Sequence, residues 1–245
     1  MADRFHINSD LSPGFVQLSG PEAHHLGVVC RAKIGDMVNL FNGNGLEYRA
    51  VIRDISKREI TLEIQEVLQP QRELPFPLHL AVALPRGDRG DFIIEKATEL
   101  GVTCLTLLTS SRTQFSPGEG KRDKLRHQVI EACKQCGRNV LMAVEGPESF
   151  DTYIQRQDLP SEKWIAHPGG DQGLPHPSSS MAGKVVLIGP EGGFTEAEVD
   201  RATEIGWRRL AFGPRILRVE TAAIAAAVLL GLNSDREARE GHPGT

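Results

Sequence analysis
Two short stretches of the chain combine residue types that can handle a nucleoside or an anion. Gly189-Pro190-Glu191-Gly192-Gly193-Phe194 directly follows the apolar run Val185-Val186-Leu187-Ile188. Its glycines remove side chains and let a ligand approach exposed backbone groups. It lacks the Lys of a P-loop and does not match GxGxxG spacing, so taken alone it is equally consistent with a plain strand-to-helix turn. The second stretch, Phe212-Gly213-Pro214-Arg215-Ile216-Leu217-Arg218-Val219-Glu220-Thr221-Ala222, sets arginines and an acid ahead of an Ala-rich segment. Loop arginines beside a Gly-rich loop are suited to holding RNA phosphate or to stabilising negative charge that develops on a substrate. The alanines suit close helix packing, which an ordinary buried core helix explains as well.

Both stretches must be positioned by the ends of strands. From His79 onward the pattern alternates strands with helices: His79 to Leu84, helix Phe92 to Leu100, Cys104 to Thr109, helix Lys121 to Cys136, Trp164 to Ala166, Lys184 to Ile188, helix Thr195 to Ile205, Arg209 to Phe212 and helix Glu220 to Leu232. Such alternation predicts a mostly parallel sheet covered by helices on both faces, with ligands beyond the C-terminal ends of its strands. Thr195 and Glu198 form a capping-box signature at the start of one helix. The stretch Gly169 to Gly183 reads as a loop, and the polar tail from Ser234 as frayed.

The N-terminal part reads differently. Short strands are expected at Arg4 to Ile7, Phe15 to Leu18, Met37 to Phe41, Leu46 to Ile55 and Glu59 to Val67, with Asn42-Gly43-Asn44-Gly45 and Ser56-Lys57-Arg58 as turns. Ile60, Leu62 and Ile64 alternate with Thr61, Glu63 and Gln65, giving one buried and one wet face. A short helix over Gly20 to Leu26 fits Pro21 in its first turn. This predicts a small β-barrel over residues 1–73. The segment Gln69 to Pro77 carries three prolines and reads as a stiff connection into a second domain, residues 74–245.

Composition limits the function classes. Of 245 residues, 40% are apolar and 24% charged, as in ordinary globular proteins. The longest nearly apolar run, Ala222 to Leu232, is shorter than the roughly 20 residues that span a bilayer, and no apolar signal segment follows Met1. Four cysteines are too few for a disulfide scaffold, so a soluble cytoplasmic protein with reduced thiols is expected. A net charge of −4 argues against a globally basic nucleic-acid binder. Locally, Arg112 to Arg138 holds seven basic and three acidic residues, and Trp207 to Val219 four arginines and no acid. Either could face phosphates, or form a solvated surface.

Three blocks, Glu95-Lys96-Ala97-Thr98-Glu99-Leu100-Gly101-Val102, Ile188 to Phe194 and Arg215 to Ala222, closely resemble the bacterial 16S ribosomal RNA uridine N3-methyltransferase family of the SPOUT class. Arg4-Phe5, His24-His25 and Arg31-Ala32-Lys33-Ile34-Gly35-Asp36 resemble its RNA-binding PUA-like barrel, so the match covers nearly the whole chain. Cys30, Ala32 and Cys136 depart from the family's usual residues at packing positions. The resemblance implies an N-terminal PUA-like β-barrel and a C-terminal α/β SPOUT methyltransferase domain with a trefoil knot. It also implies a homodimer that methylates N3 of one uridine in 16S RNA or the small ribosomal subunit, with S-adenosylmethionine as cofactor and neither metal nor membrane involved.

The cofactor site implied by the family comprises His167 and Pro168; Leu187, Ile188, Gly189, Pro190, Glu191, Gly192 and Gly193; and Gly213, Ile216, Leu217, Arg218, Glu220, Thr221 and Ala222. Uracil N3 carries a proton at neutral pH, so its methylation needs a base or an environment favouring the anion. Arg218 is the candidate for stabilising the developing charge. Glu191 is the candidate base or orienting group, or else a cap on the N–H groups of its own turn. RNA-contact candidates are Arg4, Arg31, Lys33, Arg86, Arg89, Arg112 and Arg138.

Other readings compete. Cys133-x-x-Cys136 hints at zinc, but there is no second CxxC and only His127 lies near. His24-His25 reads as one packed and one exposed histidine on a short helix. A noncatalytic RNA-binding or ribosome-assembly protein would use the barrel and the basic patches alone. A phosphate-handling enzyme using Gly189 to Gly193 would need a Lys or a metal-binding hydroxyl, and Thr195 is thin support.

Overall fold
The structure is a computed structural model describing residues 3–56, 58–114, 121–171 and 182–240. The chain forms two compact units.

The first unit holds residues 1–73 and 133–141. Its strands are β1 (Arg4–His6), β2 (Gly14–Ser19), β3 (Met37–Phe41), β4 (Glu47–Ile55) and β5 (Glu59–Leu68), with α1 (Gly20–His24) running into a π-helical turn, His25–Val29. The strand order is β1-β3-β4-β5-β2, parallel between β1 and β3 and antiparallel elsewhere. The expected barrel is therefore an open half-barrel sheet whose edges are β1 and β2. Ile60, Leu62 and Ile64 are buried as their alternation predicts, packed with Leu26, Leu40 and Ile52.

Residues 133–141 lie beyond the expected linker in sequence yet pack with this unit. Arg4 ion-pairs with Glu47 and donates to the Arg138 carbonyl at 3.2 Å and to Asn139 Oδ1 at 2.6 Å. Arg72 donates to Glu47 at 2.8 Å and to the Gly137 carbonyl at 2.6 Å, and Arg138 grips Glu73 through Nε at 3.1 Å and a terminal nitrogen at 2.5 Å. Burial alone would raise the pKa of Glu47, but the bonds from Arg72 and Arg4 hold it below the ordinary value.

The second unit comprises residues 74–132 and 142–245. Its elements are β6 (Leu78–Val82), α2 (Asp88–Glu99), β7 (Cys104–Thr109), α3 (Lys121–Cys136, whose last turn belongs to the first unit), β8 (Ala143–Ser149) and α4 (Phe150–Tyr153). There follow β9 (Glu162–Asp171), β10 (Lys184–Ile188), α5 (Glu196–Glu204), β11 (Arg208–Leu210) and α6 (Val219–Glu240). All pairings are parallel in the order β11-β9-β10-β6-β7-β8. Every residue of β10 is buried, as a strand covered on both faces requires. Trp207, Tyr153 and Phe194 fill one side of the sheet together with Leu187.

Several expectations need correction. β8 and α4 are additional elements: Ala143 to Ser149 contains Gly146 and Pro147 and shows no alternation, so nothing in it reads as a strand. α2 begins at Asp88 rather than Phe92, and α6 runs through Ser234 to Glu240 where a frayed tail was expected. Of the loop expected from Gly169 to Gly183, residues 169–171 continue β9 and residues 172–181 lie outside the described residues. Among the described residues no helix is long and apolar enough to cross a membrane.

Candidate functional site
The C-terminal ends of β9, β10 and β11 open onto a cavity of about 770 Å³. β9 contributes Ala166, His167 and Pro168; the loop after β10 contributes Ile188 to Phe194; the loop after β11 contributes Phe212, Gly213 and Arg215 to Val219. Ala222 closes it from the first turn of α6. The volume lies within the range of about 300–1,000 Å³ usual for small-molecule sites.

Local chemistry shapes this wall. The Gly193 N–H donates to the Pro190 carbonyl at 2.8 Å, closing a tight turn, and Gly193 has φ +69°, where a side chain is strained. Thr195 caps α5 through a complete capping box with Glu198. Glu198 does more than cap. One carboxylate oxygen accepts from the Thr195 N–H (2.7 Å) and hydroxyl (3.0 Å), and the other from the Ser111 N–H (2.8 Å) and hydroxyl (3.0 Å). Burial would raise its pKa, but these donors outweigh that and hold it below the ordinary value. The next residue, Arg112, donates to the Gly192 carbonyl at 2.7 Å. The loop after β7 is thus tied to the Gly-rich loop by Arg112 and to the first turn of α5 by Ser111.

His167 is mostly buried; its Nδ1 accepts from the Gly169 N–H at 3.2 Å, leaving Nε2 3.4 Å from Glu196 Oε1. Glu191 accepts from Arg89 at 3.2 Å through Oε1.

Arg89, Pro190 and Glu191 also form the shared wall of a second, smaller cavity of about 270 Å³. Ala83, Leu84 and Pro85 after β6 give its floor, Arg86 joins Arg89 on the rim, and Thr113 and Gln114 complete it from the loop after β7. Gly90 lets this segment fold back: a Cβ there would lie 2.5 Å from the Pro85 carbonyl oxygen.

Most of the expected cofactor residues line the larger cavity, Arg218 and Glu191 among them. Leu187, Glu220 and Thr221 do not: Leu187 is wholly buried in the core, and the other two lie on the first turn of α6 away from the wall. Two RNA-contact candidates are also corrected. The side chains of Arg4 and Arg138 are only 8% and 4% exposed, held in the ion pairs of the first unit where no phosphate can reach them. Arg112 is exposed but braces Gly192, and Arg89 holds Glu191. Arg31 and Lys33 are exposed on the first unit and Arg86 on the second.

The expected cofactor set left out Ala166, Phe194, Glu196, Leu210, Phe212, Arg215 and Val219, which also line the cavity. The strand-end rule reaches Leu210 and Phe212; Glu196 carried no signal. Cys133 is buried and its thiol donates to the Val140 carbonyl at 3.6 Å.

Comparison with known proteins follows the same division. Residues 72–231 match the RNA methyltransferase domain family and residues 18–65 the RNA methyltransferase PUA domain family. Ribosomal RNA small subunit methyltransferase E of Bacillus subtilis is 33% identical over 225 residues, covering 85% of this chain and 86% of that protein. A Legionella pneumophila methyltransferase solved in complex with the cofactor SAM superposes with a TM-score of 0.87 at 33% identity, covering 94% of this chain and 97% of that one. Ribosomal RNA small subunit methyltransferase E of Neisseria gonorrhoeae, bound to S-adenosyl methionine, gives 0.84 at 32% identity with the same coverage.

Proposed function
The chain belongs to the ribosomal RNA small subunit methyltransferase E family, and from that premise we propose that it methylates N3 of a single uridine in 16S RNA, using S-adenosylmethionine. The observation that carries this reading is the larger cavity, built by the two loops at the strand ends in a chain so similar to proteins crystallised with that cofactor. Its volume and its mixed lining fit the group. Ile188, Phe194, Leu217, Val219 and Ala222 offer an apolar seat for an adenine ring, and the turn Pro190 to Gly193 offers backbone groups to polar edges.

When bound, the cofactor supplies an electrophilic methyl group on a positively charged sulfur. The protein's part is to hold the uracil in line and to manage its N3 proton. The Glu191 carboxylate, steadied by Arg89, is the acceptor for that proton. Arg218, on the wall of the cavity, faces the negative charge that spreads onto the uracil oxygens as N3 loses its proton.

The trefoil knot and the homodimer belong to the same reading. The knot rests on the family resemblance carried by residues 72–231. The second copy, like the knot, is carried over from the family resemblance. Residues 1–73, with 133–141, form the RNA-binding domain in this reading and residues 74–132 and 142–245 the methyltransferase domain, with Arg31 and Lys33 exposed for phosphate contacts.

Calorimetric titration with S-adenosylmethionine tests the reading, repeated with Gly193→Val. Saturable binding to the wild type, weakened at least about tenfold in a folded variant by the strained φ and the intruding side chain, is expected. No binding by the folded wild type would leave the noncatalytic RNA-binding alternative.

A further inference from the structure
The wall that the Gly-rich turn gives to the larger cavity is held from behind by one arginine. We infer that Arg112 is a positioning residue for the cofactor, acting through the peptide between Gly192 and Gly193, and is not a phosphate contact of the RNA. The inference rests on the proposed methyltransferase function.

That peptide is the weak point of the wall. With no Cβ on either residue, the backbone around it can reach conformations closed to other residues, and Gly193 already stands at φ +69°. A peptide unit is planar, so its carbonyl and its N–H turn together. Here both ends are bonded. The Gly193 N–H donates to the Pro190 carbonyl at 2.8 Å, within the turn, and the Gly192 carbonyl accepts from Arg112 Nη1 at 2.7 Å, across 80 positions of sequence. The second bond has a charged donor and is the stronger kind. Without it, one bond between near neighbours is left to hold the plane.

The arm that makes this bond has a firm base. The Thr113 N–H donates to the Ser110 carbonyl at 3.0 Å and the Ser110 N–H to the Thr113 hydroxyl at 2.8 Å, closing a turn around Arg112. Ser111 donates its N–H to Glu198 Oε1 at 2.8 Å, and Glu198 is buried in α5. The stem of the arginine fits as well. A Cβ at Gly192 would lie 3.3 Å from Arg112 Cδ, so the missing side chain is what lets the stem lie along the turn. The end of β7 and the start of α5 thereby set where the Gly-rich turn stands, and Arg112 lines the same cavity as that turn.

A ligand that needs one arrangement of a loop binds more weakly in proportion to the fraction of molecules that hold it. Arg112 therefore governs affinity for the cofactor more than the chemical step. A phosphate contact would instead govern RNA affinity and its salt dependence.

The test compares the full-length wild type with Arg112→Met, which keeps the stem and removes the donors, and Arg112→Lys, which reaches the carbonyl with a single point donor. In calorimetry Arg112→Met should weaken S-adenosylmethionine binding by about 5- to 20-fold, the loss of one charged hydrogen bond at an exposed site, and Arg112→Lys should recover part of it. With unmethylated small ribosomal subunits, KM for the cofactor should rise by a similar factor in Arg112→Met, while kcat at saturating cofactor falls less than about threefold. Amide hydrogen exchange without cofactor should be faster at Gly193 in Arg112→Met than in the wild type. RNA binding should keep the wild-type salt slope. Unchanged cofactor affinity in Arg112→Met, a loss of kcat with KM unchanged, or a salt slope flatter by about one contact would each overturn the inference while leaving the methyltransferase reading intact. A folded wild type that binds no cofactor and transfers no methyl group overturns both.

Discussion

Replacing Glu198 with alanine removes one buried carboxylate on which two loops depend. Glu198 is 1% exposed and accepts four bonds, two from Thr195 at the start of α5 and two from Ser111 after β7. Loss of the capping interaction costs about 1 kcal/mol. The bonds to Ser111, charge-assisted but partly exposed, add about 1–2 kcal/mol, and the vacated volume adds to this, for a total of about 2–4 kcal/mol. Both tryptophans, Trp164 and Trp207, are in the second unit, so their fluorescence reports its unfolding in urea. With a slope of about 2–3 kcal/mol/M the midpoint should fall by about 1 M. Glu198→Gln, which keeps the shape but turns an amide N–H₂ toward a backbone donor, should fall between.

The pH dependence gives the stricter check. Because the folded protein holds the Glu198 pKa below its unfolded value, the carboxylate's contribution is fully present above about pH 4.5. It is lost as pH falls through the lower folded value. The gap between wild type and Glu198→Ala should therefore be constant from pH 7 to about 5 and narrow below that. A midpoint unchanged in Glu198→Ala, or a gap that stays constant down to pH 3, would refute the reasoning.

Three further outcomes are expected. Arg218→Ala should lose most methyl transfer while retaining S-adenosylmethionine affinity in calorimetry, and retained turnover would remove Arg218 from the chemistry. Arg4→Ala leaves Glu47 without one of its two cations and should destabilise the first unit by about 3–5 kcal/mol in hydrogen-exchange measurements. Its RNA affinity where folded should keep the wild-type salt slope, whereas Arg31→Ala should flatten that slope by about one contact. Burial pushes the Cys104 thiol up to about 11 and the Cys133 thiol up to about 12, so neither should alkylate in native protein at pH 8; both should react in urea, as peptide mass spectrometry can show.

Local patterning determined much of this protein. The limits of β3, β7, β10 and α3 follow from apolar runs and helical spacing, and Thr195 with Glu198 marks the start of α5 because a capping box is complete within four residues. The Gly-rich and Arg-bearing loops stand out for the same reason: their chemistry is carried by neighbours in sequence. What the sequence could not disclose is which distant residues meet. Arg4 and Arg138 look like any basic residue until Glu47, Asn139 and Glu73 are placed around them. The second bonding partner of Glu198 is 87 positions away, and Arg112 reaches Gly192 across 80. The small cavity takes walls from the ends of three strands, β6, β7 and β10, that are adjacent only because the sheet runs β11-β9-β10-β6-β7-β8. Periodicity along a chain reports which face of an element is buried, whereas strand order, set by the packing of the whole sheet, decides which loops share a wall.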